Sequence, residues 1–188
     1  MKLLVLTAPS GAGKTTIARR LMDRVPGLMF SVSATTRPPR PGEEDDVHYH
    51  FLSPDAFSAR LATGDFLEHE EVYPGRFYGT LRPELEALAA RPDVRAVVLD
   101  IDVKGALNVK RIYGDAALTL FVAPPSLHAL ADRLHARGTE SEDQVAVRLE
   151  RAEMELATAP QFDVTVVNDD LDRAVEETTA HVQAFLDR

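Results

Sequence analysis

The chain contains no cysteine. That excludes disulfides, thiolate metal sites and a cysteine nucleophile, and it fits the reducing cytoplasm expected for this protein. It also lacks an apolar run of the roughly 18 residues needed to cross a bilayer. Positive charge is short: Lys and Arg number 21 against 30 Asp and Glu, a formal net charge of -9. That balance disfavours non-specific binding to nucleic acid or to an anionic membrane, so neither is an expected partner. No obligate protein partner is evident. No internal repeat or low-complexity segment interrupts the 188 residues, a length suited to one α/β domain with small subdomains.

Against this background one segment stands out. Ala8-Pro9-Ser10-Gly11-Ala12-Gly13-Lys14-Thr15, followed by Thr16, comes directly after the apolar Leu3-Leu4-Val5-Leu6. It nearly fits the phosphate-cradling pattern G-x-x-x-x-G-K-[ST], in which a strand enters a glycine-rich turn that opens a helix. Backbone N–H groups then point into one cavity, and the helix N-terminus adds partial positive charge. Lys14 supplies a point charge for terminal phosphates, and the Thr15 hydroxyl suits a magnesium ion. The first glycine of the pattern is Ala8, which takes a positive φ poorly, so the tight turning is expected at Gly11 and Gly13. A cleaved leader is not expected, because cleavage would remove this loop.

Apolar strand-like runs recur at Leu3–Thr7, Met29–Val32, Val94–Leu99, Leu118–Val122 and Val164–Val167. Helical stretches lie between them. The first carries Ile17, Leu21 and Val25 and stops at Pro26-Gly27. A second starts at Ser53-Pro54 and closes at Gly64. Others span Pro83–Ala90, Val103–Ile112 and Ser126–Arg137. Ser141-Glu142-Asp143-Gln144 is a capping box leading a helix through Leu149 and Leu156, and a last helix holds Leu171, Val175, Val182 and Phe185. This alternation predicts an α/β fold, a parallel sheet flanked by helices on both faces. Between Ser33 and Thr80 the rhythm breaks into shorter β-like pieces, Tyr49–Leu52, Phe66–Tyr73 and Phe77–Tyr78, which read as an inserted α+β subdomain. The polar stretch Gly138–Glu142 between two arginine-bearing helices reads as a mobile lid.

The segment Ser33-Ala34-Thr35-Thr36-Arg37-Pro38-Pro39-Arg40-Pro41-Gly42-Glu43 is a second constellation. Prolines stiffen the loop and reduce the entropy lost on binding. Two arginines on it suit a phosphate dianion, with Tyr49 and Tyr78 as further donors. Asp100 ends an apolar strand, where a magnesium-organising carboxylate is expected in phosphate-loop enzymes, and Asp102 is two residues on. Arg133 and Arg137 are four apart and share a helix face.

These segments, with F-L-E at 66–68, Y-G-T at 78–80, L-D-I-D at 99–102, R-L-H-A-R-G-T-E at 133–140 and V-N-D-D at 167–170, resemble the guanylate kinase family over essentially the whole chain. The resemblance implies a phosphate-loop core at residues 1–32, 81–125 and 160–188, a GMP-binding subdomain at about 33–80 and a lid at about 126–159. It implies ATP-dependent phosphorylation of GMP and dGMP, assisted by Mg2+. By the same resemblance Ser33, Glu68, Thr80 and Asp102 hold guanine. Arg37, Arg40, Tyr49 and Tyr78 hold the acceptor phosphate. Lys14, Arg133, Arg137 and Arg148 surround the transferred group, and Asn168 is an adenine-side contact.

Residue chemistry agrees. Guanine offers an acceptor at O6 and donors at N1 and N2. A carboxylate such as Glu68 or Asp102 accepts from the donors, and a hydroxyl such as Thr80 or Ser33 donates to O6. Adenine would set a buried carboxylate against a lone pair, a mismatch costing about 1–3 kcal/mol per group. Glu68 and Glu70 share a strand face, so alternation alone does not choose between them; the resemblance chooses Glu68. Two departures stand out: Lys104 occupies the place usually held by glutamine before Gly105, and His69–Gly75 is one residue longer than usual and includes Pro74. His48 and His50 read as a surface pair, and Glu43–Asp46 as a solvated turn. Three rivals remain: a sugar-phosphate kinase of this fold, a non-catalytic module related to guanylate kinases, and a nucleic-acid ATPase.

Overall fold

A computed structural model describes residues 1–137 and 141–188, without the side chains of Tyr73 and Arg137. Along the chain it has β1 (Leu3–Thr7), α1 (Lys14–Arg24), β2 (Leu28–Phe30), β3 (Ala34–Thr35), β4 (His50–Phe51), α2 (Pro54–Ala62), β5 (Phe66–Tyr73) and β6 (Arg76–Leu81). There follow α3 (Arg82–Ala89), β7 (Ala96–Asp100), α4 (Val103–Tyr113), β8 (Ala117–Ala123), α5 (Leu127–Arg137), α6 (Glu142–Leu156), β9 (Val164–Val167) and α7 (Leu171–Leu186). Residues 138–140 of the expected lid stretch lie outside the described residues.

Five strands form a wholly parallel sheet in the order β2-β7-β1-β8-β9. Side chains of β1 alternate between its two faces. Leu4 and Leu6 join Ile17 and Leu21 of α1 and Val175, Val182 and Phe185 of α7. Leu3 and Val5 join Leu85 of α3 and Ala106 and Val109 of α4. The doubly covered parallel sheet expected from the strand–helix alternation is therefore present. The register pairs Leu6 with Asp100, so the loop after β1 and the end of β7 emerge side by side at the carboxyl edge. Ligands bind at that edge in open α/β sheets.

A second sheet runs β4-β3-β6-β5. Its small core stacks Phe57 of α2 on Phe66, with ring centroids 4.3 Å apart, beside Ala34 and Leu81. Here the sequence pattern under-reads the strands. The polar loop from Ser33 contributes β3, and β6 is six residues long rather than two. Pairing supplies the reason: β6 bonds to both β3 and β5, so its backbone is satisfied despite Gly79. That glycine is needed, since a Cβ there would lie 2.7 Å from the Phe66 ring. A third cluster joins α5 and α6 through Leu130, Leu134, Val145 and Ala152. The Ser141 capping box at the start of α6 forms as expected.

His50 is half-buried rather than a freely exposed histidine. Its Nδ1 faces Asp46 at 2.6 Å and its Nε2 faces Glu84 of α3 at 2.5 Å. Glu84 also accepts from the Val32 N–H at 2.6 Å, at the exit from the large sheet. Both ring nitrogens can donate only in the imidazolium form. Burial by itself lowers the His50 pKa, but the hydrogen bonds to Glu84 and Asp46 outweigh it and raise the value above the ordinary 6.5. A raised folded value stabilises fully below the unfolded pKa and ceases to do so as pH rises through the folded one. His50→Gln should therefore lower the urea midpoint at pH 6 and lower it less at pH 9. An equal loss at both values would show that the charge of His50 contributes nothing.

Candidate active site

Gly11 and Gly13 both adopt positive φ, 98° and 99°, while Ala8 does not, as its Cβ requires. A turn bond from Ala12 N–H to the Pro9 carbonyl at 3.0 Å closes the loop. Gly13 then caps α1 without any side-chain hydrogen bond, and the first turn carries no acidic residue. The N-terminal amides and their dipole are thus left for an external anion. Lys14 Nζ pairs with Asp100 and reaches the Ile101 carbonyl at 3.4 Å.

A cavity of about 370 Å³ lies between this loop and the second sheet. From the loop and α1 come Ala8, Pro9, Ser10, Gly11, Gly13, Lys14, Thr15 and Thr16. From the second sheet and its approach come Ser33, Arg40, Tyr49, Glu68 and Tyr78, and from the end of β7 come Asp100 and Asp102. Arg148 of α6 reaches in and donates to the Ser10 hydroxyl. One cavity thus gathers sixteen of the expected site residues.

Others sit elsewhere. Ala12 is buried beneath the loop. Arg37 is also buried, and it does not line the cavity. Its guanidinium lies 4.9 Å from the Tyr49 ring centroid and grips Glu43 with two bonds of 2.5 and 2.7 Å. Glu43 is therefore no solvated turn residue: the Arg37 hydrogen bond pulls its carboxyl down to about 2 despite partial burial. Of the two expected clamp arginines, Arg40 alone lines the cavity; Arg37 braces the loop from beneath. Thr80 is fully buried and donates to Glu68 Oε1 at 2.6 Å, so its hydroxyl orients the carboxylate.

Arg133 and Asn168 line a second depression of about 270 Å³ on the other side of the phosphate loop, with Gly11, Gly13, Thr16, Asp169 and Leu171. Arg133 donates to the carbonyls of Asn168 at 2.8 Å and Ala12 at 3.4 Å. It fastens α5 to the loop rather than lining the main cavity. Asn168 Nδ2 donates to the Ala12 carbonyl at 2.7 Å, and a Cβ on Gly13 would come within 2.3 Å of that nitrogen. The Arg137 side chain lies outside the described residues.

Glu68 is the most unusual group. It is 6% exposed. Burial pushes its carboxyl up to about 7; the Thr80 hydrogen bond opposes this, and the charge of Asp102 adds to it. It faces the start of α4, where Asp102 caps the helix by accepting from Gly105 N–H at 2.8 Å. Gly105 permits this approach, since a Cβ there would lie 2.5 Å from Glu68 Oε2 and 3.0 Å from Asp102 Oδ1. The unusual Lys104 pairs with Glu70 at 2.6 Å on the cavity wall.

Glu70, Val72, Gly79, Ile101, Arg151 and Glu155 also line the cavity without having been singled out as ligands. Strand alternation signals Glu70, and helix spacing from Arg148 signals Arg151 and Glu155. Nothing in the sequence signals Val72, whose carbonyl accepts a hydrogen bond from Arg151. The donor set between the two cations Lys14 and Arg40 suits a polyanion. The three carboxylates Glu68, Glu70 and Asp102 suit a ligand end rich in N–H donors.

A family model described as "Guanylate kinase" matches residues 1–186. The guanylate kinase of Salinibacter ruber is 60% identical over 184 residues, covering 98% of this chain and 96% of that one. That of Chlorobaculum tepidum is 50% identical over 186 residues, covering 98% and 93%. Among solved structures, guanylate kinase from Anaplasma phagocytophilum superposes with a TM-score of 0.79 at 29% identity, covering 97% of this chain and 85% of that one. A shikimate kinase from Bacteroides thetaiotaomicron, at 17% identity, TM-score 0.55 and coverage of 100% and 99%, shares the fold alone.

The contact at Gly105 gives a direct test. Alanine is favoured over glycine inside a helix by up to about 1 kcal/mol. Overpacking against a buried carboxylate costs about 1–3 kcal/mol. Gly105→Ala should therefore lower the urea midpoint. A neutral or raised midpoint would show that Glu68 is free to move aside.

Proposed function

The chain belongs to the guanylate kinase family, and on that premise we propose that it transfers the γ-phosphoryl group of ATP to GMP or dGMP in the cytoplasm, within purine nucleotide metabolism. The observation that carries the reading is the pairing, across one cavity, of a phosphate loop with a buried carboxylate fixed by a buried threonine. The first binds a nucleoside triphosphate; the second reads a base that offers N1 and N2 donors.

In this reading residues 1–32, 81–125 and 160–188 are the core, about 33–80 the GMP-binding subdomain and about 126–159 the lid. The phosphate loop from Ala8 to Thr16, including Lys14, holds the triphosphate, with adenine in the depression beside Asn168. Glu68 and Asp102 accept from guanine, oriented by Thr80 and by the α4 amides, and Ser33 offers a hydroxyl. Arg40, Tyr49 and Tyr78 hold the acceptor phosphate, with Arg37 placing the loop that carries Arg40. Arg148 and Lys14 stabilise charge on the group in flight, Arg137 belongs to the same cationic set, and Arg133 holds α5 against the phosphate loop. The acceptor oxygen is already ionised, so positioning and charge neutralisation supply the catalysis, without a general base.

Magnesium fits the residues present. Thr15 and Asp100 both face the cavity and offer hard oxygen donors. Two protein oxygens suit an ion that keeps waters and phosphate oxygens as its other ligands. Bound there, Mg2+ would neutralise phosphate charge. No helix among the described residues is long and apolar enough to cross a membrane.

The test is ADP formation from Mg-ATP with GMP, dGMP, AMP, UMP, CMP and dTMP as separate acceptors. Turnover confined to GMP and dGMP is expected, and Lys14→Ala should lower it by at least ~100-fold, the scale of one preorganised electrostatic donor. Binding of ATP without turnover of any monophosphate would point to a sugar-phosphate acceptor. Absence of ATP binding would point to a non-catalytic module.

A further inference from the structure

The β5–β6 hairpin carries an irregularity that faces the cavity. Glu68 pairs with Thr80, His69 with Gly79, Glu70 with Tyr78 and Glu71 with Phe77 in unbroken register; Tyr73 then pairs with Arg76. Between Glu71 and Tyr73 β5 advances two residues while β6 advances one, so Val72 is the extra residue of a β-bulge. A bulged residue has no partner in the ladder, and its backbone groups can be aimed elsewhere. The pairs that present Glu68 and Glu70 stay in register on one side of the bulge. The Val72 carbonyl accepts a hydrogen bond of 2.7 Å from Arg151 Nη1 of α6. Arg151 Nε is held by Glu155 at 2.7 Å, one turn further along the same helix.

Arg148, Arg151 and Glu155 stand at i, i+3 and i+7, on one face of α6, and all three line the cavity. Arg148 reaches the phosphate loop through Ser10, and Arg151 reaches the hairpin through Val72. One helix face therefore touches the donor side and the acceptor side of the cavity at once. Rotating α6 away would break both contacts together.

We propose that Arg151 is a positioning residue that latches α6 to the bulge at Val72, so that Arg148 is brought to the transferred phosphoryl group only when the GMP-binding hairpin is in place. This rests on the functional reading above and adds a coupling between its two halves. The latch acts through a backbone carbonyl, so its specificity lies in the bulge and not in the side chain of Val72.

Loss of one charge-assisted hydrogen bond corresponds to about a tenfold effect. Arg151→Ala should raise KM for GMP by about that factor and lower kcat, while KM for ATP changes less than about twofold. Arg151→Lys, which can still donate to a carbonyl, should recover most of the loss. Deleting Val72 removes the bulge, and in that background Arg151→Ala should cost nothing further. Amide hydrogen exchange at Tyr73, Gly75 and Arg76 of the full chain provides a second readout, independent of turnover and of whether the deletion folds. It should be faster in Arg151→Ala than in wild type and near wild type in Arg151→Lys. Unchanged exchange with unchanged KM for GMP would overturn the latch, as would full additivity of Arg151→Ala with the Val72 deletion. If the wild-type chain does not phosphorylate GMP, the functional reading fails. The exchange comparison then decides the latch alone.

Discussion

A carboxylate held out of water organises the acceptor half of this protein. Removing a carboxylate from solvent costs several kcal/mol even after the surroundings relax, whereas a hydrogen bond to a charged group returns only about 1.5–3 kcal/mol. Glu68 accepts one such bond from Thr80 and faces the start of α4 across Gly105. The remainder of the cost falls on the two cores around it. Leu67, on one side, packs into the large sheet's core, and Phe66, on the other, into the small one. Strand alternation sends Phe66 and Leu67 to different cores, and the register slip between Phe66 and Glu68 separates Glu68 from the face of Phe66 as it turns to the cavity. A site with this stored cost favours a ligand whose donors satisfy the ionised form.

The donor half follows the opposite principle. Its loop is not buried charge but unsatisfied backbone: Gly11 and Gly13 turn the chain so that α1 begins with free amides and no acidic residue to quench them. Parallel pairing of β1 with β7 sets Asp100 beside Lys14. The two halves meet at the carboxyl edge of one sheet, and α6 closes over both. Placing cations from the core, the second sheet and α6 around one space lets a chain of net charge -9 bind polyanions.

Much of this was legible in the sequence. The parallel sheet followed from alternating apolar runs and helices, and the loop from glycines at the two positions that need positive φ. Asp100 fell at the end of an apolar run that marks a strand, whereas alternation left Glu68 and Glu70 equivalent, and the resemblance supplied the choice of Glu68 and the places of Asp102 and Arg148. What could not be read was set by partners distant in sequence. Arg37 looked like a ligand because its pairing with Glu43 depends on how the proline-rich loop folds back. His50 looked superficial because Glu84, 34 residues away, is brought to it by α3. Arg133 looked like a companion of Lys14, yet it bonds to backbone carbonyls that no sequence pattern displays. The role of Val72 is invisible for the same reason.

The central claim is that Glu68, buried and held by Thr80, is the group that reads the base, its carboxyl raised by burial in the free protein and favoured as the ionised form by guanine's donors. Carbon-13 NMR of labelled glutamate carboxyls, assigned with Glu68→Gln, measures this directly. The account predicts a Glu68 midpoint near 7 in the free protein. It predicts a midpoint in or below the ordinary carboxylate range, about 4.3, when GMP is saturating. GMP affinity would then weaken as pH falls below the free-protein value, because the proton must leave for the base to bind. An ordinary midpoint in the free protein, or one that GMP leaves unmoved, would contradict it.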